Sequence, residues 1–157
     1  MNSILSPVPL PSSIRSRYVE GVNGLRVHVL EAGFESEGRP CVLLLHGFPE
    51  LAFSWRKVMP VLADAGYHVI APDQRGYGRT TGWDASFDGN LASFRLTNLV
   101  RDALGIVAAF GYRSVAAVVG HDFGSPVAAW CATIRPDVFR SLILLHHEKL
   151  DIIEPPG

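Results

Sequence analysis

The chain has 157 residues, the size of a single domain; 48% of them are hydrophobic and only 18% are charged. This balance is typical of a globular protein with a sizeable core and excludes a disordered chain. The formal net charge is −1, with no basic block and no acidic tail. Binding to nucleic acid or to an anionic membrane therefore has no electrostatic support.

The first 13 residues are rich in Ser and Pro and predict a flexible N-terminal arm. They lack the charged and apolar regions of a signal peptide, and no later apolar run approaches the length of a transmembrane helix. We therefore expect a cytoplasmic protein. Cys41 and Cys131 fall inside apolar runs and predict buried free thiols, because their spacing fits neither a disulfide framework nor a metal site.

The first predicted elements form a β-hairpin. Its arms, residues 18–20 and 25–30, flank a turn that contains Asn-Gly, the strongest short-range hairpin signal. A polar loop follows over residues 33–40. The continuous apolar run at 41–45 then predicts a strand that is buried on both faces.

Helices and strands alternate over the rest of the chain. The sequence predicts helices at 53–65 (broken near Pro60), 94–110 (capped by Gly111) and 123–135, and strands at 67–71, 114–119 and 141–145. A hairpin followed by alternating strands and helices predicts an α/β fold with a mostly parallel sheet, an antiparallel start and flanking helices. We expect residues 14–146 to form the N-terminal part of one α/β domain, followed by an irregular tail at 147–157.

The segment from Gly120 to Gly124 carries the strongest functional signal. A strand, then small–x–acid–x–small, then a helix is the layout of a nucleophile elbow, in which the sharp turn needs small residues on both sides. Asp122 would then protrude at the end of a strand and attack carbon to form an ester intermediate, and His121 would be structural. The alternative is that Asp122 is an ordinary helix N-cap.

The loop from His46 to Glu50 follows the first buried strand. In an elbow enzyme such a loop supplies one oxyanion-hole N–H, and the residue after the nucleophile supplies the other. The predicted donors are the backbone amides of Phe48 and Phe123. Gly47 allows the turn and Pro49 stiffens it, whereas the His46 side chain is expected to bind loop backbone.

The next loop, residues 73–80, begins after the strand at 67–71. We interpret it as structural, with Asp73 and Arg75 paired to hold the loop beside the elbow. Its glycines do not form a phosphate-binding loop, since they lie far from a strand–turn–helix junction of the required form.

Residues 46–49, 73–78 and 120–124 together resemble the motifs of the α/β-hydrolase superfamily, and within it those of the epoxide hydrolases. The resemblance implies that Asp122 opens a small-molecule epoxide or related electrophile to a diol through an ester, with no cofactor and no metal. Haloalkane dehalogenases are a further alternative. They typically have a Trp after the aspartate to bind the halide, and Phe123 has no side-chain donor.

The family's chains continue into a helical cap with two tyrosines, then supply an acid and a late histidine. Residues 146–157 do not look like the start of that cap, so we expect a truncated form without cap, acid and base. His146 and His147 extend a strand that does not supply the family's histidine. A non-catalytic fragment or interaction remnant is the rival hypothesis. The strand at 141–145 would form an open apolar edge, which predicts self-association.

Overall fold

A computed structural model describes residues 6–146. Its core is a six-stranded sheet in the order β1-β2-β4-β3-β5-β6. The strands are β1 Ile14–Val22, β2 Leu25–Ala32, β3 Cys41–Leu45, β4 His68–Pro72, β5 Ala117–His121 and β6 Leu142–Leu145. The helices are α1 Met59–Asp64, α2 Leu96–Ala109 and α3 Gly124–Ile134, with 3₁₀ helices at Ala52–Lys57 and Leu91–Phe94.

The sheet topology confirms the predicted fold class. β1 pairs antiparallel with β2, and β2 pairs antiparallel with β4, whereas β4, β3, β5 and β6 are mutually parallel along the sheet. Apolar clusters cover both faces, so all five residues of β3 are buried. The parallel strands end at the same edge, which brings the loops after β3, β4 and β5 together.

The two cysteines lie in this core, as predicted. Cys41 begins β3 and Cys131 lies in α3; both thiols are free and buried. Burial raises the pKa of each thiol to about 12 because the apolar surroundings disfavour the thiolate.

The hairpin of β1 and β2 is longer than predicted. Its turn is tight because Asn23 and Gly24 both have positive φ, at 50° and 82°. The turn is also held from outside, since the Asn23 side chain donates to Asp102 of α2 at 2.7 Å and Arg75 donates to the Asn23 carbonyl at 3.2 Å. The hairpin is thereby tied to a helix and to the loop after β4.

The predicted pairing of Asp73 with Arg75 is wrong. Arg75 instead forms a two-pronged ion pair with Asp102, each N···O distance being 2.8 Å, and both side chains are buried. Asp73 accepts hydrogen bonds from His28 and from backbone amides. The helix α2, rather than the loop itself, therefore supplies the partner of Arg75.

Element bounds differ from the sequence predictions in strands and in helices: β5, predicted at 114–119, lies at Ala117–His121. The predicted helix at 53–65 is a 3₁₀ helix followed by α1, and the break falls at Val58 rather than Pro60. Proline in the first turn of a helix sacrifices no intrahelical hydrogen bond, so Pro60, the second residue of α1, does not break it. Gly111 follows α2 with a φ of 80°, as predicted for its cap.

At the far side of the sheet, β6 has only β5 as a neighbour among the described strands. Its four residues, Leu142 to Leu145, are 39–47% exposed. The predicted open apolar edge is thus present in the described part of the chain, while self-association stays a prediction. Two segments lie outside the described residues: residues 1–5, the beginning of the predicted arm, and residues 147–157, the predicted tail with His147.

Within residues 6–146 no helix has the length and apolar character needed to cross a membrane.

Candidate active site

Asp122 occupies the turn between β5 and α3. Its φ is +49°, a left-handed conformation that is uncommon for any residue other than glycine. The backbone N–H of Ser125 donates to the Asp122 carbonyl at 2.9 Å and closes the turn. The N-cap of α3 is Phe123, so the interpretation of Asp122 as an ordinary N-cap is wrong. Its side chain is exposed and directed to the loop after β3 instead.

The turn needs glycine at the points where two segments of the backbone approach each other closely. A Cβ at Gly124 would lie 2.3 Å from the Leu45 carbonyl oxygen, and one at Gly120 would lie 2.3 Å from the Gly124 carbonyl oxygen. A Cβ at Gly47 would lie 2.6 Å from the Asp122 Cβ. Real Cβ atoms do not come so close, so these glycines allow the loop after β3 to touch the Asp122 turn, as their predicted structural role requires.

The predicted oxyanion donors meet at the Asp122 carboxylate. The Phe48 N–H donates to Oδ2 of Asp122 at 3.0 Å. Hydrogen bonds from the backbone N–H groups of Phe48 and Phe123 lower the pKa of Asp122, and the charges of His121 and His146 lower it further. The carboxylate is therefore ionised near neutral pH, as an attacking group must be.

His46 has the structural role that was predicted. The side chain is fully buried, and its Nε2 accepts from the Gln74 N–H at 3.0 Å. Nδ1 is then the protonated nitrogen and donates to the Gly47 carbonyl at 2.9 Å. Burial lowers the pKa of His46, so the ring remains neutral and links the loops after β3 and β4.

Glu50 is a structural link that the sequence interpretation missed. Its Oε2 accepts from the Gly47 N–H at 3.2 Å and lies 3.0 Å from Nδ1 of His121. One carboxylate thereby joins the loop after β3 to the residue before Asp122. In the same loop, the peptide bond between Phe48 and Pro49 is cis. An acid three residues after a glycine in a loop is too common a pattern to have shown this contact from sequence.

A cleft of about 300 Å³ opens beside the two predicted donors. Its lining is mostly aromatic and includes Phe48, Phe123, Tyr77, Trp83 and Phe94. Its volume matches a small organic molecule. Tyr77, which the sequence interpretation treated as part of a structural loop, lies in this lining. Burial first, and then the charge of Asp122, raise the pKa of Tyr77, so the phenol stays protonated at neutral pH.

A family model described as the alpha/beta hydrolase fold matches residues 40–155 of the chain. The chain is similar to epoxide hydrolase A of Mycobacterium tuberculosis, with 46% identity over 112 residues, covering 71% of this chain and 32% of that protein. It is also similar to the AB hydrolase superfamily protein YfhM of Bacillus subtilis, with 40% identity over 124 residues, covering 79% and 41% of the two chains.

Solved structures give the same result. The crystal structure of epoxide hydrolase A from Mycobacterium thermoresistibile superimposes with a TM-score of 0.74 at 41% identity, covering 83% of this chain and 38% of that one. Epoxide hydrolase VrEH1 from Vigna radiata gives a TM-score of 0.72 at 36% identity, covering 84% and 40%. The chain thus spans 32–41% of the length of these proteins.

Proposed function

The chain belongs to the alpha/beta hydrolase fold family and is epoxide hydrolase-like, and from this premise we propose that Asp122 is a nucleophile that opens epoxides. A carboxylate oxygen of Asp122 attacks a ring carbon, and the bond from that carbon to the ring oxygen breaks. The ring oxygen leaves as an alkoxide and takes a proton from water. The product of this step is a hydroxyalkyl ester on Asp122.

The observation that carries the proposal is the 3.0 Å hydrogen bond from the Phe48 N–H to Oδ2 of Asp122. When water adds to the ester, one carboxyl oxygen becomes an oxyanion. Backbone N–H groups already fixed at that oxygen stabilise the charge without further reorganisation. The amides of Phe48 and Phe123 are proposed to have this role.

The aromatic cleft supports a small apolar epoxide as the substrate class. It is lined by Phe48 and Phe123, whose amides face the carboxylate, so a molecule held there lies beside Asp122. A halide leaving group would need a side-chain N–H donor next to the nucleophile, and Phe123 offers none. The epoxide is therefore preferred over the haloalkane.

Ester hydrolysis needs a positioned general base, which commonly contributes about 10²–10⁴-fold. Among the described residues, His146 is near enough for its charge to act on Asp122, but it follows β6 and no hydrogen bond orders it toward a water site. We therefore assign only the first step to these 157 residues, and we expect the ester to persist rather than turn over.

The experiment is incubation with styrene oxide, followed by intact-mass and peptide mass spectrometry. We expect one adduct, with the mass of the epoxide, on the peptide that contains Asp122. Asp122→Asn should abolish it, while Asp64→Asn, a matched change at an exposed aspartate of α1, should leave it unchanged. Circular dichroism would check that both variants fold.

Each outcome has a distinct meaning. Diol released over many turnovers, lost in Asp122→Asn, would support the nucleophile and show that a base is present. An adduct that survives in Asp122→Asn would overturn the assignment. No adduct and no diol would favour the rival hypothesis of a non-catalytic fragment or interaction remnant.

A further inference from the structure

A second line of reactive groups lies outside the Asp122 site. The Ser16 hydroxyl oxygen is 2.7 Å from Nε2 of His28, and Nδ1 of the same ring is 2.8 Å from Oδ2 of Asp73. The function proposed above uses none of these three side chains. Their order, hydroxyl to imidazole to carboxylate, is the arrangement that activates a serine for attack on an acyl group.

The register of the hairpin produces this line. Tyr18 of β1 lies opposite His28 of β2, and Ser16 lies opposite Leu30. Ser16 is thus the diagonal neighbour of His28 on the same face of the sheet, within side-chain reach. Asp73 follows β4, the other neighbour of β2, and its backbone N–H donates to the His28 carbonyl at 2.9 Å. Three adjacent strands therefore hold the three groups.

The direction of the hydrogen bonds follows from Asp73. Burial raises its pKa, but hydrogen bonds from His28 and from the N–H groups of Arg79 and Ala52 outweigh that effect and lower it. The ionised carboxylate only accepts, so Nδ1 of His28 carries a proton. In the neutral ring Nε2 is then an acceptor, and the Ser16 hydroxyl donates to it.

Access and shape favour a short acyl group. Ser16 is exposed and does not itself line a cleft, but its partners His28, which is only 3% exposed, and Asp73 both line one of about 230 Å³. We expect an acyl chain on Ser16 to extend toward that cleft. The cleft has apolar walls contributed by Val8, Pro9, Leu30, Leu51 and Phe53. It shares no lining residue with the aromatic cleft beside Asp122, so the two sites are separate surfaces of the molecule.

We propose that Ser16, His28 and Asp73 form a second nucleophilic site, at which Ser16 is acylated by activated esters of short apolar acids. The Ser16 oxygen forms a bond to the carbonyl carbon as its proton passes to Nε2 of His28. The bond from that carbon to the leaving oxygen then breaks, and the proton passes from His28 to the leaving group. The product is an acyl-serine and a free alcohol or phenol.

The test uses p-nitrophenyl butyrate and the full chain. Released p-nitrophenolate gives the rate, and peptide mass spectrometry locates the butyryl group. We expect one butyryl group on Ser16, formed about 10²-fold faster than on Ser86, from the size of general-base effects. Ser86 is the internal comparison, because its hydroxyl donates to Asp84 and is exposed, but its bonded partner is a carboxylate rather than an imidazole.

Variants separate this site from the first. Ser16→Ala should remove the burst of p-nitrophenolate, and Ser86→Ala should leave it unchanged. Peptide mass spectrometry locates a butyryl group on the Ser16 peptide and an epoxide adduct on the Asp122 peptide, so failure here and failure of the epoxide proposal are distinguishable. His28→Gln should slow acylation of Ser16 to the rate of Ser86. Because His28 is buried, the circular dichroism spectrum of this variant must match that of the parent.

Two results would overturn the proposal. One is a butyryl group spread over lysines and other serines, with Ser16 no faster than Ser86. The other is a burst that persists in Ser16→Ala. If His28→Gln fails to fold, the Ser16→Ala and Ser86→Ala pair still decides the outcome.

Discussion

The two edges of the sheet differ in how they are exposed to other chains: the β1 edge is charged, and the β6 edge is apolar. β1 carries charges along its exposed side: Arg15 pairs with the buried Glu31 at 2.9 Å, and Arg26 of β2 pairs with Glu20 at 2.7 Å. β6 carries only aliphatic residues, each 39–47% exposed. Charges on an edge discourage pairing with another chain, whereas a flat apolar edge invites it.

The two sides of the sheet differ in how far the described residues stabilise and cover them. On the β1 side, Asn23 of the hairpin turn is hydrogen-bonded to Asp102 of α2 and to Arg75 of the loop after β4, and these two residues form an ion pair with each other. The stability of this side therefore comes from contacts within the described residues. The β6 side leaves apolar surface without cover among residues 6–146. We therefore expect that changes near β1 act on folding, and that changes near β6 act on association.

The largest effect is expected at the anchor of the hairpin. Asp102→Ala leaves the Arg75 guanidinium buried without its partner, and breaking a buried pair in this way costs about 3–5 kcal/mol. Urea unfolding measures the loss. Asp137→Ala removes an exposed pair with Arg135 and should cost about 0–1 kcal/mol. A loss below 1 kcal/mol in Asp102→Ala would contradict the anchored-edge picture.

The next effect is acid sensitivity of the β1 side. Burial works against the Glu31 charge, but hydrogen bonds from His68 and Arg15 lower its pKa to about 2. A lowered carboxyl pKa stabilises the fold above the ordinary value of 4.5 and ceases to do so as the pH falls through about 2. We expect a loss on the order of 2 kcal/mol across that window.

Urea midpoints measured from pH 7 to pH 2 would check this loss. Glu31→Gln should make the profile shallower in that window, and Glu37→Gln, an exposed change nearby, should leave it as it is. If the urea midpoint of Glu31→Gln falls with pH as steeply as that of the parent, groups other than Glu31 cause the acid sensitivity.

A smaller effect is expected at the other edge. Ile143→Lys places a charge in the middle of β6 and should weaken self-association about tenfold, or ~1.4 kcal/mol. Sedimentation velocity over a range of concentrations measures this. Ile134→Lys adds the same charge at an equally exposed residue of α3 and should have little effect. A parent chain that stays monomeric at all concentrations would refute the prediction.

The smallest effect tests whether β6 stays docked on β5. His146 follows β6, and its charge lowers the pKa of Asp122. His146→Ala should therefore raise that pKa slightly, as measured by carbon-13 NMR of the Asp122 carboxyl group. No change would indicate that the end of β6 is displaced in solution, by a second copy or otherwise.

The sequence was sufficient for the order of the elements, because apolar runs, the Asn-Gly turn and the segment around Asp122 are local signals. It also predicted the Phe48 and Phe123 amides as oxyanion-hole donors; both donate to the Asp122 carboxylate, while their role in a reaction stays a proposal. It failed for Arg75, because Asp102 lies 27 residues away in sequence and several acids could have been its partner.

The Ser16–His28–Asp73 line was missed for a related reason. The His28 side chain is only 3% exposed. Its contacts depend on the register of β1 against β2 and on the placement of β4 beside β2 rather than beside β1. An irregularity between Val19 and Val22 shifts the register by one residue from the one that the Asn-Gly turn sets. The strand order does not follow from local patterns either, so a hydroxyl 12 residues away gave no signal.

The two buried thiols can report which side of the sheet opens first. An alkylating reagent reacts with thiolate, and a pKa of about 12 leaves almost none at neutral pH. Labelling therefore counts openings of the native molecule. Cys131 sits in α3, which packs on β5 and β6, while Cys41 lies in the central strand β3. If the uncovered side opens first, Cys131 is modified in dilute denaturant before Cys41. The interval between the two modifications then measures how long the opening of that side precedes the unfolding of the whole domain.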